Sequence, residues 1–245
     1  MSALPLVSPL TPTAGAAVPW RLWRDGARTP AENMAVDEAL YAALAPGQPP
    51  LLRFYSWDRP AVSLGYFQRF DGAPASGYAV VRRPTGGGLV YHDRDLTFSL
   101  LAPAGHPAAP RDRRASYRRL NDAVRAALTA CGLPATLAER AAPVPDRGRL
   151  VCFTTAAQFD VVLPAGKVAG GAQRRGARGL LHQASLDLSV CPGLTREPLI
   201  AALLVAFGAA FACTFAPYTP PPALLAAAAR LAAGKYASER WQRRR

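Results

Sequence analysis

Cysteine, histidine and lysine are scarce in this chain of 245 residues, which has four cysteines, three histidines and two lysines. No two cysteines form a CxxC pair and no histidine cluster accompanies them. This pattern argues against a zinc site and against a disulfide framework, and it suits a reducing compartment. The sequence therefore predicts a cytoplasmic protein that binds no metal.

Acidic residues are also few, with 16 Asp and Glu against 29 Lys and Arg, so the formal net charge is +13. Such an excess suits an acidic partner, whether nucleic acid, an anionic membrane or an acidic protein. Nearly all of the basic residues are Arg in an Ala-rich chain, a composition that a GC-rich genome also produces. The charge alone leaves the partner class open.

The sequence shows neither a signal peptide nor a convincing membrane span. Residues 1–19 lack a basic start and are interrupted by prolines, so we expect a flexible tail. The uncharged stretch 199–217 has about the length of a span, but it is rich in Ala and its large residues from Leu199 to Phe211 recur at one-turn spacing. This spacing favours a helix that packs one stripe on a core, and no membrane association is expected.

Half of the residues are hydrophobic, which is enough for a sizeable core at this length. Thr29, Pro30 and Glu32 predict a helix that begins with a capping box, and a stripe from Leu120 to Cys131 predicts a second helix. A basic helix is expected after the prolines at 220–222.

Short apolar runs bounded by turn residues predict strands. They cover residues 51–57, 61–66, 79–83, 89–92, 96–101, 153–163, 167–173 and 179–190. Strands and helices do not alternate regularly, so we predict an α+β fold in which mixed β-sheets are packed by helices. A single domain over residues 20–245 is expected, without a separate accessory domain.

The most informative segment joins two predicted strands and reads RRPTGGGLVYHD from residue 82 to 93. Its three glycines expose backbone N–H groups, so a ligand can lie against them. The segment is not a P-loop, because no Gly-Lys-Ser/Thr follows and the next element is a strand. On these residues alone, a glycine-rich hairpin and a ligand-binding loop are equally good interpretations.

Several blocks of the sequence resemble the lipoate–protein ligase A and octanoyltransferase family, which has the biotin/lipoate protein ligase fold. They are residues 32–39, 52–57 with 61–68, 82–92, 166–175 and 235–241. The blocks follow the family's order over most of the chain, and RRPTGGG is the most specific. The resemblance implies a mixed sheet packed by helices, with an acyl chain in a tunnel beside the glycine loop and Lys167.

This family contains ATP-dependent ligases, octanoyltransferases and amidotransferases. Its ligases commonly add an accessory domain, of which there is no trace after Trp241, and carry Asn-Asp where this chain has Cys152 and Phe153. The Cys-Phe pair, followed by Lys167, instead resembles the cysteine-dependent octanoyltransferases.

The resemblance therefore implies an octanoyltransferase of lipoate biosynthesis. Octanoyl would pass from acyl carrier protein to Cys152, then to the lysine of a lipoyl domain of a 2-oxoacid dehydrogenase or of glycine-cleavage H protein. Thioester exchange followed by aminolysis splits acyl transfer into two easier steps, and neither metal nor ATP is needed. Without the resemblance, a cysteine at a strand start is more often a small buried hydrophobe. The other three cysteines are assigned to packing or surface.

Lys167 is implied to be the second catalytic residue. Its ammonium would contact the acyl carbonyl oxygen and stabilise the developing oxyanion. The alternative is an ordinary solvated lysine in a turn. The predicted acyl-binding residues are Arg82, Arg83, Thr85, Gly86, Gly87, Gly88, His92, Gly170, Gly171, Ala172, Gln183 and Ser185.

One position departs from the family, whose octanoyltransferases read Gln-His-Gly-Ser where this chain has His182-Gln183-Ala184-Ser185. Because side chains alternate along a strand, His182 should point away from the site and Gln183 should take the family histidine's place. His92, next to Asp93, either orients the glycine loop or bonds to its neighbours at a hairpin end.

Three other functions remain open. An ATP- and magnesium-dependent lipoate or octanoate ligase is the main rival, and an amidotransferase between lipoyl domains is the next. A non-enzymatic nucleic-acid binder would use the net charge and the basic residues 240–245, but it would not need the glycine loop. We expect a monomer that binds no nucleic acid, with a basic surface that steers acidic protein partners. That surface includes Arg111, Arg113, Arg114, Arg118 and Arg119.

Overall fold

The computed structural model describes residues 19–70, 77–141 and 155–244. Its strands are β1 (Trp20–Arg28), β2 (Leu51–Trp57), β3 (Ala61–Leu64), β4 (Ala79–Arg82), β5 (Val90–His92), β6 (Asp95–Pro103), β7 (Thr136–Leu137), β8 (Val161–Leu163), β9 (Gly166–Gly176), β10 (Gly179–Asp187) and β11 (Phe215–Pro217). Its helices are α1 (Pro30–Ala42), α2 (Arg113–Ala130), α3 (Arg196–Phe211), α4 (Pro222–Leu231) and α5 (Glu239–Gln242), with a 3-10 turn at Leu188–Val190 and a π-helical turn at Ala232–Tyr236.

Eight strands form a mixed sheet in the order β11-β1-β2-β6-β10-β9-β8-β7, and three form a small sheet in the order β4-β3-β5. In the large sheet β1 runs parallel to β2 and β11, while β10 pairs antiparallel with β6 and β9. This mixed architecture confirms the predicted α+β fold.

Helices cover both faces of the large sheet. On one face α2 and α3 pack against Leu100 of β6 and Leu180 of β10. On the other face α1 and α4 pack against the next residues along the same strands, Leu101 and Leu181. The small sheet adjoins α1, since Val81 of β4 packs with the N-terminal half of that helix. Adjacent residues of β6 and β10 therefore serve two different layers.

The two helix starts follow from their caps. The hydroxyl of Thr29 accepts from the backbone of Glu32, and the Glu32 carboxylate accepts from the Thr29 N–H, which confirms the predicted capping box. Asp112 caps α2 by accepting from the N–H groups of Arg114 and Ala115. The second predicted helix is confirmed as well.

The uncharged stretch forms α3, whose residues Leu199, Leu203 and Phe207 are buried in the core. The helix ends at Ala212, which adopts the left-handed conformation before the chain enters β11. The predicted packing stripe is therefore confirmed. Among the residues that the structure covers, no helix has the length and apolar character required to cross a bilayer.

Some of the predicted boundaries are wrong. The strand expected over 179–190 ends at Asp187, whose carboxylate accepts from the N–H of Ser189 and starts the 3-10 turn. The basic C-terminal helix is instead the Ala-rich α4, a π-helical turn and the short α5. Sequence reasoning assigned no element to β1, although Trp20 begins it fully buried.

The strand expected over 153–163 is confirmed only as β8. Phe159 has φ +70°, and the Asp160 carboxylate accepts from the N–H of Ala157 at 2.6 Å. These features form a turn in place of the first part of the strand. Residues 153–154, like the tail predicted over 1–19 except for Pro19, lie outside the residues that the structure describes.

Candidate active site

A cavity of about 450 Å³, including its open mouth, lies between the two sheets. It is lined by Met34, Tyr55, Trp57, Ser63, Arg83, Val90, His92, Thr97, Lys167, Gly170, Gly171, Ala172, Gln183, Ala184 and Ser185. Eight of the predicted site residues are in this lining. They are Arg83, His92, Lys167, Gly170, Gly171, Ala172, Gln183 and Ser185.

The cavity crosses the strands of the large sheet. Lys167 lies on β9 at one side and Trp57 on β2 at the other, with β10 and β6 between them. Neighbouring strands are about 4.8 Å apart, so the four strands span about 14 Å. The two ends of the cavity therefore present different chemistry, an ammonium at β9 and an aromatic ring at β2.

Arg83 organises the glycine loop from within. Its guanidinium donates to the carbonyl oxygens of Gly86 at 2.6 Å and Gly88 at 2.7 Å, and to the carbonyl of Ser63 at 2.9 Å. A bidentate cation fixes several carbonyls at once, which gives the loop one geometry. Arg83 is therefore both a wall of the cavity and the support of the loop.

The loop also depends on Gly65, which the sequence analysis did not single out. A Cβ at Gly65 would lie 1.9 Å from the carbonyl oxygen of Gly87, so the two backbones cross at a distance that only glycine permits. Gly87 itself has φ +83°. Of the predicted loop residues, Gly86, Gly87 and Gly88 thus shape the roof without lining the cavity.

Arg82 points away from the cavity and is fully buried. Its guanidinium donates to the carbonyls of Gly65 at 2.9 Å, Gln68 at 2.6 Å and Gln242 at 2.6 Å. The indole of Trp241 donates back to the Arg82 carbonyl at 2.9 Å. The structure therefore places Arg82 as a brace between the chain's end and the loop, and brings it into no contact with the cavity.

Thr85 reaches the cavity through Gln183. The Thr85 hydroxyl donates to Gln183 Oε1 at 2.7 Å, and Gln183 Nε2 donates to Asp37 Oδ2 at 2.7 Å. Asp37 is fully buried and is held in turn by Arg53 Nη1 at 2.7 Å. This chain of bonds fixes the amide of Gln183 between the loop and α1.

Lys167 is held inside the protein, so the alternative of a solvated lysine in a turn is wrong. Its side chain is 6% exposed, and its Nζ lies 2.7 Å from Oδ2 of Asp160, which is 1% exposed. A Cβ at Gly170 would lie 2.7 Å from the same Nζ, so glycine leaves the room that the ammonium occupies. The ion pair fixes a cation at one end of the cavity.

Tyr117 of α2 holds Asp160 from the α2 side of the sheet. Its hydroxyl donates to Asp160 Oδ1 at 2.7 Å and contacts the backbone of Gly171, whose N–H donates to it at 3.1 Å. Burial, with the charge of Asp160, raises the pKa of Tyr117 well above its ordinary value, so the phenol stays protonated. Sequence reasoning missed both residues; the only signal was an acidic residue inside the apolar run before Lys167.

His182 and Gln183 lie on opposite faces of β10, as the alternation predicts. Gln183 lines the cavity, whereas His182 packs on the other side against Phe98 and Tyr117. Neither ring nitrogen of His182 has a hydrogen-bond partner in the described part of the chain. Burial, with a smaller contribution from the charge of Arg175, lowers the pKa of His182 to about 3. His182 is therefore neutral.

His92 ends β5 and binds Asp95 at the start of β6, as expected for a histidine bonded to its neighbours at a hairpin end. Its ring stacks on Trp57 with centroids 4.0 Å apart, and its Nδ1 lies 2.8 Å from Asp95 Oδ2. Its Nε2 lies 2.8 Å from the hydroxyl of Ser63. The neighbour that holds His92 is Asp95, while the adjacent Asp93 accepts from Tyr78.

Cys152, the predicted nucleophile, lies outside the residues that the structure describes, so its position stays a prediction. The other three cysteines are free thiols outside the cavity. Burial raises the pKa of Cys191 and of Cys213 to about 11 and raises that of Cys131 as well. These thiols stay protonated at neutral pH and do not favour thiolate chemistry.

No group of three or more His, Cys, Asp and Glu side chains suited to a metal ion occurs among the residues that the structure describes. At the cavity Lys167 pairs with Asp160, Arg83 donates to backbone carbonyls, and His92 Nδ1 lies 2.8 Å from Asp95 Oδ2. What this arrangement provides is a slot with an open mouth and a fixed cation at one end.

A slot between two sheets, roofed by an arginine-braced glycine loop and ended by a buried lysine, has the form of an enzyme active site. The chain belongs to the lipoyl protein ligase A/B catalytic domain family, whose model matches residues 29–196.

Curated relatives carry the activity that the sequence predicts. The chain is 38% identical over 189 residues to the octanoyltransferase LipM of Kyrpidia tusciae, a match that covers 71% of this chain and 67% of the relative. LipM octanoyltransferases of other bacteria match at 34% to 39% identity. The chain spans about two thirds of the length of these relatives.

Solved structures share the fold. A lipoate–protein ligase A bound with ATP superposes with a TM-score of 0.78 at 24% identity, covering 91% of this chain and 98% of that one. The bi-partite lipoate protein ligase of Thermoplasma acidophilum gives a TM-score of 0.71 at 24% identity, covering 91% and 95%. The comparisons confirm the predicted family and fold, and the relatives' names agree with the predicted octanoyl transfer.

Proposed function

We propose that this chain is an octanoyltransferase of lipoate assembly. It takes octanoyl from acyl carrier protein and passes it to the target lysine of a lipoyl domain or of glycine-cleavage H protein. The observation that carries the proposal is the slot that ends at a buried ammonium, Lys167, in a chain whose curated relatives are octanoyltransferases.

The slot suits an octanoyl chain in length. An extended chain rises about 3.6 Å for every three bonds, so the seven bonds of octanoyl span about 8 Å. This length fits between Lys167 and the Trp57 side, about 14 Å apart across the strands, with room for the thioester carbonyl. The carbonyl lies at the lysine and the tail lies against Trp57 and His92.

The proposed reaction has two steps on Cys152. Its thiolate attacks the octanoyl thioester carbonyl, and the carrier thiolate leaves and takes up a proton. The uncharged amine of the target lysine then attacks the Cys152 thioester, loses a proton and releases the thiolate as the amide forms. In both steps negative charge develops on the acyl oxygen, where the fixed ammonium of Lys167 stabilises it.

The partner surface adjoins the lysine end of the slot. Arg113, Arg114 and Arg118 are exposed on the first turns of α2, the helix whose Tyr117 contacts Gly171 at the cavity. A cationic face suits an acidic carrier and speeds its encounter. We include a monomeric state and a cytoplasmic location in the proposal, the latter supported by the cysteine pattern.

The ligase remains the second candidate, since the solved neighbours include a bi-partite ligase. A ligase must activate a free carboxylate with ATP and magnesium, whereas a transferase receives an activated thioester and needs no cofactor. The two functions therefore differ in the acyl donor that they use.

The deciding experiment measures intact mass after incubation with octanoyl-acyl carrier protein, then transfer to an apo lipoyl domain without nucleotide. We expect one hydroxylamine-labile octanoyl group and rapid transfer, both lost in Cys152→Ser and both kept in Cys131→Ser. Lipoylation from free lipoate and ATP that is undiminished in Cys152→Ser would show that the chain is a ligase.

A further inference from the structure

Four polar side chains line the cavity on β10, β6 and the small sheet, over the stretch that leads from Lys167 on β9 towards Trp57 on β2, where the proposed function places a hydrocarbon tail. They are Ser63, His92, Thr97 and Ser185. A polar group that faces a hydrocarbon without a partner is costly. The hydrogen bonds of these side chains resolve the conflict.

The donors of this wall converge on one buried carboxylate oxygen. Oδ2 of Asp95 accepts from Thr97 Oγ1 at 2.7 Å and from Ser185 Oγ at 2.6 Å, and it lies 2.8 Å from His92 Nδ1. The Asp95 side chain is 5% exposed. Burial alone would raise the pKa of Asp95, but the charge of His92 and the hydrogen bonds from His92, Ser185 and Thr97 lower it below the ordinary value. Asp95 is therefore a carboxylate.

The bonds extend one step further to Ser63. Its hydroxyl lies 2.8 Å from His92 Nε2, so Ser63, His92 and Asp95 are linked in the order of a serine-hydrolase triad. His92, however, stacks on Trp57, where the proposed function places the hydrocarbon tail and not the acyl carbonyl, which it places at Lys167. Their chemistry is used on the tail and not on the reacting carbon.

Thr97, Ser185 and His92 use these donors on Asp95, so these donors are not available to a group in the lumen. A tail that carries a carbonyl would bury its oxygen where the three donors are already engaged. We propose that Asp95 makes the part of the cavity lined by these side chains selective for an unsubstituted hydrocarbon tail and excludes tails that require a hydrogen-bond donor. The inference rests on the proposed function only in taking an acyl chain as the occupant.

The test compares three free acids by calorimetric titration: octanoate, 7-oxooctanoate and 7-methyloctanoate. The last two acids have nearly the same shape, but 7-methyloctanoate has a methyl group where 7-oxooctanoate has its ketone oxygen. The protein is wild type, Asp95→Asn, or Asp93→Asn as a matched control on an exposed carboxylate of the same hairpin. Asparagine keeps the size of Asp95 but removes the charge and puts a donor in place of one oxygen.

In the wild type and in Asp93→Asn, we expect 7-oxooctanoate to bind at least tenfold more weakly than 7-methyloctanoate. In Asp95→Asn this ratio should shrink at least fivefold, because released hydroxyls can donate to the ketone. If Asp95→Asn does not fold, the comparison of 7-oxooctanoate with 7-methyloctanoate in the wild type still tests the inference.

Equal binding of 7-oxooctanoate and 7-methyloctanoate to the wild type would overturn the inference. An unchanged ratio of the two affinities in a folded Asp95→Asn protein would overturn it as well. If both substituted acids bind equally and more weakly than octanoate, the cavity selects its ligand by size and the inference is wrong. If octanoate itself does not bind, the cavity is not an acyl site. Since binding needs no acyl acceptor, a failure of transfer would be a separate result.

Discussion

Two buried aspartates support the wall of the cavity, yet their carboxylates have different kinds of partner. At β9, Asp160 pairs with the cation Lys167 and holds a charge in the lumen. Asp95, at the start of β6, accepts from the hydroxyls of Thr97 and Ser185 and binds the imidazole of His92, so these donors are engaged within the protein. The partner, and not the carboxylate, therefore decides whether a buried acid makes a site polar or apolar.

Removing the charged end should have the largest effect. We expect Lys167→Met to lower kcat/KM for octanoyl transfer by about 100- to 1,000-fold, the usual cost of losing an oxyanion-stabilising donor. The control is Lys235→Met, whose ammonium pairs with Glu38 at 2.6 Å outside the cavity. Similar small losses in both variants, measured by steady-state kinetics, would remove Lys167 from the reaction.

Removing only the partner of that charge should have the next largest effect. Asp160→Asn keeps the ammonium of Lys167 but removes the carboxylate that positions it. We therefore expect kcat to fall about 10- to 100-fold with little change in KM. Asp160→Glu should recover part of the rate, which a merely structural role would not predict. Denaturant unfolding should show a loss of about 3 kcal/mol in Asp160→Asn.

The exposed pair of Asp122 and Arg125 provides the stability control, since the Asp122 side chain is 54% exposed. Asp122→Asn should change stability by less than about 0.5 kcal/mol. A kcat for Asp160→Asn equal to that of the wild type would show that Lys167 needs no orienting partner.

Substitutions at two adjacent residues of β10, Gln183 and His182, should have different effects, one on the transfer rate and the other on the free energy of unfolding. Gln183→Ala breaks the link between Thr85 and Asp37, so we expect transfer to fall about tenfold as the glycine loop loses its support. His182→Ala leaves a void on the far face of β10, so it should cost about 2 to 3 kcal/mol of stability with little change in rate. Transfer kinetics and thermal unfolding of both variants test this ranking, and the reverse ranking would refute the assignment of faces.

The smallest effect concerns pH. His182 has a pKa of about 3 in the folded protein against 6.5 in its ordinary state. Below about pH 6.5 the unfolded chain takes up a proton that the folded chain refuses, so the free energy of unfolding falls as pH drops towards 3. The slope is at most about 1.4 kcal/mol per pH unit.

This slope should be smaller in His182→Phe, which keeps the volume without the titrating ring. Chemical unfolding at pH 7, 6 and 5 measures it, and the difference from wild type isolates His182 because the carboxylates are common to both proteins. If the free energy of unfolding depends on pH in the same way in both proteins, His182 takes up its proton as readily in the folded chain as in the unfolded chain.

Sequence alone predicts the parts of the fold that depend on near neighbours. The capping box of α1, the strand β2 and the opposite faces of His182 and Gln183 follow from local chemistry or from strand alternation. The glycine loop and Lys167 follow from the family resemblance. These features account for much of the cavity lining.

What the sequence could not predict depends on distant contacts. Asp160 stands in an apolar run that reads as a strand, and only its bonds to Lys167 and Tyr117 give it a role. Asp95 acquires its role because donors from β5, β6 and β10 meet at one oxygen. No local pattern encodes either convergence.

The contacts of Arg82 with Trp241 and Gln242 determine when the glycine loop is secured during synthesis. The Arg82 guanidinium bonds to the carbonyl of Gln242, 160 positions later. A ribosome that adds 5 to 20 residues per second needs roughly 8 to 30 seconds to make that distance. During that interval the glycine loop lacks the Trp241 and Gln242 contacts that brace it. The cavity is thus completed by residues synthesised about 160 positions after its glycine loop, and a nascent chain released before Trp241 would have the walls of the cavity but an unsecured roof.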